Sequence, residues 1–194
     1  MFSISNYFTN FTTQKIAKTM NSNKTFIAFD GDAVRDTTNS NIGLFHQMAE
    51  WQKRYPNRFN FINIDSIDYM ANHDDFVDEN VKTFLFRQLE KADNLLVVVS
   101  RYTNPDSKWL NWMISRAVNR YHLPVVVAID GVTEVTEETM KKWHDRFPAK
   151  IKKYIGRDSA RMCYIPLMQT KVERALDYFG VRSQTYPWNS TTIY

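Results

Sequence analysis

The side chains best suited to chemistry in this sequence are carboxylates and arginines that follow short apolar runs. Asp30 and Asp32 follow the run to Phe29, Asp65 and Asp68 follow Phe59–Ile64, and Asp130 follows Pro124–Ile129. Arg35 and Arg101 stand in loops of the same kind. Carboxylates gathered at one edge can hold Mg²⁺ or accept hydrogen bonds from ribose hydroxyls, and an arginine can pair with a phosphate. Each residue taken alone has a plainer role, because aspartate closes turns and caps helices and a lone arginine is commonly a surface group. Only a fold that brings the run ends together turns the set into a site.

The apolar runs predict such a fold. Leu95–Val99 and Pro124–Ile129 lack polar alternation, as strands buried on both faces of a parallel sheet do. A polar loop and a helix-like stretch from Ser107 to Tyr121 separate them, giving a crossover unit. Its apolar face is Trp109, Leu110, Met113, Ile114, Ala117 and Val118, and Asp106 or Ser107 can cap it. Further strands are expected at Lys24–Phe29, Phe59–Ile64 and Met162–Ile165. Helices are expected from Ile42 to near Tyr55, from near Asp78 to Ala92, from about Glu134 to Ile155 with a break at Pro148, and from Thr170 to Gly180. The last carries a capping box, Thr170-x-x-Glu173. Five strands alternating with helical regions predict a three-layer α/β fold with a five-stranded parallel sheet in the order 2-1-3-4-5. Ligands in such sheets bind beyond the carboxyl ends of the strands. The expected division is an N-terminal arm over 1–22, one domain over 23–180 and a surface tail over 181–194.

Composition narrows the functional classes. Hydrophobic residues make up 43% of the 194 and aromatic residues 14%, which suits a packed core. The net charge of +4 is mild, and its excess lies in Lys141, Lys142, Arg146, Lys150, Lys152, Lys153 and Arg157, interleaved with apolar residues at helical spacing. That pattern is a solvated helix face, so a nucleic-acid partner is not expected. With 5 glycines in the chain, neither a dinucleotide fingerprint nor a phosphate-binding P-loop occurs. No G-x-S-x-G elbow is present, and His46, His73, His122 and His144 are too scattered for a zinc site. The single Cys163, inside an apolar run, is expected to be buried and inert and suits a reducing compartment. No apolar run approaches the ~20 residues of a membrane span, and the N-terminus has no charged-then-apolar leader pattern, so a cytoplasmic protein is expected.

Four stretches together resemble a known family. F-I-A-F-D at the first strand, L-L-V-V-V-S-R-Y-T at the third, S-K-W-L-N-W-M-I-S-R-A-V at the following helix and P-V-V-V-A-I at the next strand are similar to TIR-like domains, in particular the bacterial group that includes Thoeris antiphage proteins. The likeness runs from about Lys24 to Gly180. It implies a flavodoxin-like sheet and a signalling domain that associates with copies of itself or with a partner TIR-like or effector protein. It also implies a ligand of the NAD or ADP-ribose type. Active members split or rearrange NAD with a glutamate one helical turn after a tryptophan. Here the tryptophan matches Trp109 and the glutamate position holds Met113. A thioether cannot act as that carboxylate. An NAD glycohydrolase or cyclase would need a relocated acid, with Asp30, Asp32 or Asp65 as candidates. A nucleoside deoxyribosyltransferase-like enzyme shares the sheet and also relies on a glutamate. A phosphoacceptor receiver domain is disfavoured, because Ser100-Arg101 stands where its aspartate belongs. The expected ligand-binding set is Asp30, Asp32, Arg35, Asp65, Arg101 and Trp109. Catalytic residues and any cofactor stay unassigned.

Overall fold

The computed structural model describes residues 23–30, 41–64, 79–155, 160–181 and 191–193. Within them the chain forms strands β1 (Thr25–Ala28), β2 (Asn94–Val99), β3 (Val125–Ile129), β4 (Met162–Pro166) and β5 (Thr191–Ile193). The helices are α1 (Ile42–Arg54), α2 (Glu79–Leu89), α3 (Lys108–Asn119), α4 (Glu137–Trp143), α5 (Ala149–Tyr154) and α6 (Gln169–Tyr178), with a 3₁₀ turn over His144–Arg146. The strands pair in the order β1-β2-β3-β4-β5, every pair parallel. Leu95–Val99 therefore lies between Thr25–Ala28 and Val125–Ile129, the adjacency that the apolar runs imply.

Alternate residues of each central strand feed two cores, as the two-residue period of a strand requires. Phe26, Leu95, Val97, Val99, Val125 and Val127 face one cluster, to which α2, α3 and α5 contribute Leu89, Met113, Ile114 and Ile151. Ile27, Leu96, Val98, Val126 and Cys163 face the other, covered by Phe45 and Met48 of α1 and by Val172 and Leu176 of α6. Helices on both faces make the three layers of an α/β fold, consistent with a flavodoxin-like arrangement.

The sheet edges depart from expectation. Phe59–Ile64 does not form a strand: it meets β1 through a single parallel bridge, Thr25↔Phe61. Two side-chain amides take over the hydrogen bonds that a longer strand would make. Asn63 pairs with both backbone groups of Ile27, its Oδ1 accepting from the N–H and its Nδ2 donating to the carbonyl, each at 2.8 Å. Gln52 of α1 accepts from the outward N–H of Phe61 at 2.5 Å and donates to its carbonyl at 3.4 Å. An edge closed this way offers no template for another strand. At the opposite edge the tail, expected on the surface, instead supplies β5, in register Met162↔Thr191 to Tyr164↔Ile193.

Two end signals also differ. The capping box at Thr170 is not formed: α6 starts at Gln169 with Met168 at the cap position and no side-chain cap bond. Glu173 reaches across to Arg58 at 3.2 Å, which removes it from the reciprocal capping geometry. Gly180 does not take the left-handed conformation of a helix stop; it lies beyond the end of α6 and permits a close approach, since a Cβ there would lie 2.6 Å from the Asn23 side chain. The cap at the start of α3 is met, with Ser107 Oγ accepting from the Leu110 N–H at 3.4 Å.

Candidate functional site

The carboxyl ends of β1 and β2 run into two loops whose stems are joined by buried polar side chains. Asp30, two residues past β1, is 1% exposed, and its Oδ2 accepts from the Asn104 N–H at 2.7 Å. Asn41, the residue before α1, is equally buried. It does not cap that helix. Its Nδ2 donates to the Asp30 carbonyl at 3.3 Å, and its Oδ1 accepts from Ser100 Oγ at 2.5 Å. A charged acceptor for a backbone N–H is among the stronger hydrogen bonds a folded chain makes, and its burial strengthens it further.

The loop from Ser100 to Ser107 is braced along its length. Ser100 N–H donates to Thr103 Oγ1 at 2.9 Å, and Thr103 N–H returns to the Ser100 carbonyl at 3.1 Å. Tyr102 N–H donates to Ser100 Oγ, Asp106 N–H to Asn104 Oδ1 and Ser107 N–H to the Asn104 carbonyl. Asn111 of α3 then donates to the Pro105 and Ser107 carbonyls at 2.7 and 2.8 Å and accepts from the Lys150 N–H at 2.8 Å. The loop is thus tied to β1, to α3 and to the start of α5.

This geometry sorts the expected site residues. Asp30 is in place at the strand ends, but one oxygen anchors the neighbouring loop, so the side chain positions that loop before it can do anything else. Arg101 is exposed at the same edge; its guanidinium lies over the Tyr102 ring at 4.6 Å and donates to the Tyr102 hydroxyl. Asp130 is half-buried at the end of β3, its N–H bonded to the Val99 carbonyl. Asp32, Arg35 and Asp65 lie outside the described residues, as do Asp68 and His73. Trp109, expected on the apolar face of its helix, is half-buried: it packs edge-on against Trp112 at 5.7 Å, at the margin of the α2–α3 core. Of Trp109 and Met113, only Met113 is turned fully inward, at 3% exposure. Among the described residues no group of His, Cys, Asp or Glu side chains could hold a metal ion, and no helix is long and apolar enough to cross a membrane.

Asn41, Ser100, Thr103 and Asn104 build this edge and are not among the expected binding residues. Their signal is faint: Asn41 immediately precedes an apolar helical stripe, where an asparagine reads as a cap, and Thr-Asn-Pro-Asp reads as a turn. The groups with perturbed titration stand elsewhere, on β4 and just before it. Burial pushes the Cys163 thiol and the Tyr164 phenol well above their ordinary ranges, and burial lowers the Arg161 guanidinium.

Among known protein families, the model for "Thoeris protein ThsB, TIR-like domain" matches residues 26–134, more than half of the chain. The match begins in β1 and ends just beyond β3, so it contains Asp30, Asn41, the whole braced loop, Trp109 and Met113. No curated protein matches the chain.

Proposed function

We propose, from the premise that this chain belongs to the TIR-like domain family of Thoeris protein ThsB, that it is a signalling domain of antiphage defence. In this reading it acts by associating with copies of itself or with a partner TIR-like or effector protein. A nucleotide of the NAD or ADP-ribose type binds where β1 and β2 end. One observation carries the ligand half of the proposal. The Asp30–Asn41–Ser100 network fixes two loop stems at the carboxyl edge and leaves an exposed Arg101 and a half-buried Tyr102 beside them. A guanidinium stacked on a phenol ring offers a phosphate partner and an aromatic face together.

Calorimetric titration with NAD and with ADP-ribose tests this. Wild type binds, and Arg101→Ala and Asp32→Ala each weaken binding. Unchanged affinity in both variants moves the site elsewhere.

In this reading the chain, alone, turns NAD over very slowly or not at all. Glycosidic cleavage builds positive charge on the ribose, and a placed carboxylate stabilises it. Loss of one such stabilising group commonly costs about 10²–10³ in rate. The helix position where relatives carry a glutamate holds Met113, and that side chain is packed in the core. Chromatography of nicotinamide released under crowded conditions is the check. Rapid release by wild type would point to Asp30, Asp32 or Asp65 as a relocated acid.

A further inference from the structure

Beyond the matched span, α4 and α5 enclose a surface groove of about 330 Å³ lined by Met140, Lys141, His144, Asp145, Phe147 and Ile155. Its walls are fixed in advance. Thr136 Oγ1 accepts from the Thr139 N–H at 3.2 Å and caps α4. The start of α5 is pinned twice, by the Ala149 N–H donating to the Pro105 carbonyl at 3.0 Å and the Lys150 N–H donating to Asn111 Oδ1 at 2.8 Å. Its far end is held by the Tyr154 hydroxyl, which donates to Asn119 Oδ1 at 3.1 Å. Phe147 makes the floor: it is fully buried and packs on the Tyr164 ring at 5.8 Å. The rim is basic. From Glu137 to Ile155 the chain carries six lysines and arginines against three acids. Two of those acids, Glu137 and Glu138, stand in the first turn of α4, at the end away from His144. The third, Asp145, is fully exposed and lies 3.4 Å from His144 Nδ1. Lys141, at the other end of α4, is exposed on the rim.

We infer that this groove binds a single-chain amphipathic anion, an acyl chain that ends in a carboxylate. The chain lies along Met140, Phe147 and Ile155, and the carboxylate meets the Lys141 ammonium. The volume falls at the small end of the range of small-molecule sites, about 300–1,000 Å³, and an apolar lining with a few polar groups is their usual composition. The excess of cations selects a negative head group. A sugar phosphate fits less well, because it gains nothing from the apolar floor. A peptide fits less well too, because its backbone N–H and C=O groups would be pressed unpaired against that floor. An acyl chain carries no such groups. No residue of the groove belongs to the strand ends, so the inference does not depend on the nucleotide reading above.

Calorimetric titration of the full chain with sodium decanoate tests it. Wild type binds one equivalent saturably below about 1 mM. Octanoate, shorter by two methylenes, binds about tenfold more weakly, since each buried methylene is worth a factor of about 3–4. Decanol, which lacks the charge, also binds more weakly. Lys141→Glu weakens decanoate binding about five- to tenfold, through an attraction lost and a repulsion gained at an exposed rim, and Lys141→Arg keeps the wild-type affinity. Melting curves matching wild type show that both variants fold. In spectra of isotope-labelled methionine methyl groups, decanoate shifts the Met140 methyl and leaves that of the buried Met113 in place. Absence of saturable binding by wild type overturns the inference. So does decanoate binding that neither Lys141→Glu nor the neutral alcohol weakens, or a shift confined to methionines other than Met140. Displacement of decanoate by ADP-ribose would place the anion at the strand ends and overturns it as well. Lys141-dependent binding to phosphatidylglycerol vesicles without binding of free decanoate would make the rim a membrane contact instead.

Discussion

Buried polar side chains gather at both ends of the sheet, and the two ends use them differently. At the amino-terminal end, nearly every partner is the backbone of the last helix and the strand beside it. Asn94 donates to the Phe179 carbonyl at 2.8 Å, Asn23 to the Leu176 carbonyl at 2.8 Å and Arg161 to the Gly180 carbonyl at 2.8 Å. These close the carbonyl end of α6, where orphan acceptors and the negative helix pole favour donors and cations. Asp93 accepts from the Lys24 N–H at 2.9 Å and fixes the start of β1. At the carboxyl-terminal end, Asp30, Asn41 and Ser100 bond to one another and to loop stems, and the exposed Arg101, stacked on a half-buried Tyr102, stands beside them. Burial of polar groups alone therefore marks no site here. Direction separates the two ends: in a parallel sheet the strands' carboxyl ends and the helices' amino ends converge on one edge, where backbone N–H groups can meet an anion.

Substitutions can break that comparison. The largest effect is expected from neither end but from the wall between them. Met113→Glu places a carboxylate in the core formed with Leu110 and Ala117. An uncompensated buried charge costs about 3–5 kcal/mol. Burial would raise that carboxyl's pKa, so the loss is smaller near pH 4, where the unfolded chain is also protonated, and grows toward pH 7. Chemical denaturation at both pH values checks this. Equal stability of variant and wild type at pH 7 would mean that the face is open to a ligand.

Arg161→Ala at the amino-terminal end is expected to lower stability by about 2–3 kcal/mol. It removes the donor to Gly180 and the guanidinium packed 5.1 Å over the Phe179 ring. Nucleotide affinity should not change. Asp30→Ala, at the other end, leaves the Asn104 N–H without its carboxylate and should cost about 1–3 kcal/mol. Here affinity for ADP-ribose should fall as well, because the loop that presents Arg101 loses its anchor. Asp30→Asn retains an acceptor and should recover most of both losses. If Arg161→Ala weakens nucleotide binding as much as Asp30→Ala, the two ends are not functionally distinct.

The centre of the sheet was legible in the sequence and its edges were not, for a physical reason. Leu95–Val99 and Val125–Ile129 have no polar residue to misplace, so their environment follows from composition. Phe59–Ile64 has enough apolar residues to read as a strand, but its pairing is decided by Asn63 and Gln52, whose amides substitute for backbone. Thr191–Ile193 has too few residues to signal a strand and acquires that state only by pairing with β4. At the candidate site the aspartate at the end of β1 could be anticipated, whereas Asn41 gave a capping signal and serves as a bridge between loops. Spacing along the chain does not encode a contact between residues 41 and 100.

The smallest effect concerns pH and belongs to the amino-terminal end. Cys163 and Tyr164 lie side by side in β4, both buried, with pKa values raised chiefly by burial. The folded state thus keeps protons that the unfolded chain releases above its own pKa values, about 8.5 for cysteine and 10 for tyrosine. Where the native state binds more protons, stability falls as pH rises, so the full contribution is present below about pH 8. From pH 7 to 9 the Cys163 part amounts to about 1 kcal/mol, and Tyr164 adds to it only above about pH 10. Cys163→Ala should flatten the first part of this decline, after allowance for a cavity loss that is the same at every pH. Denaturation midpoints from pH 7 to 10, for wild type and variant, make the comparison. An unchanged pH slope in the variant would mean that the thiol ionises in the folded protein and that β4 is less sealed at this end than its burial indicates.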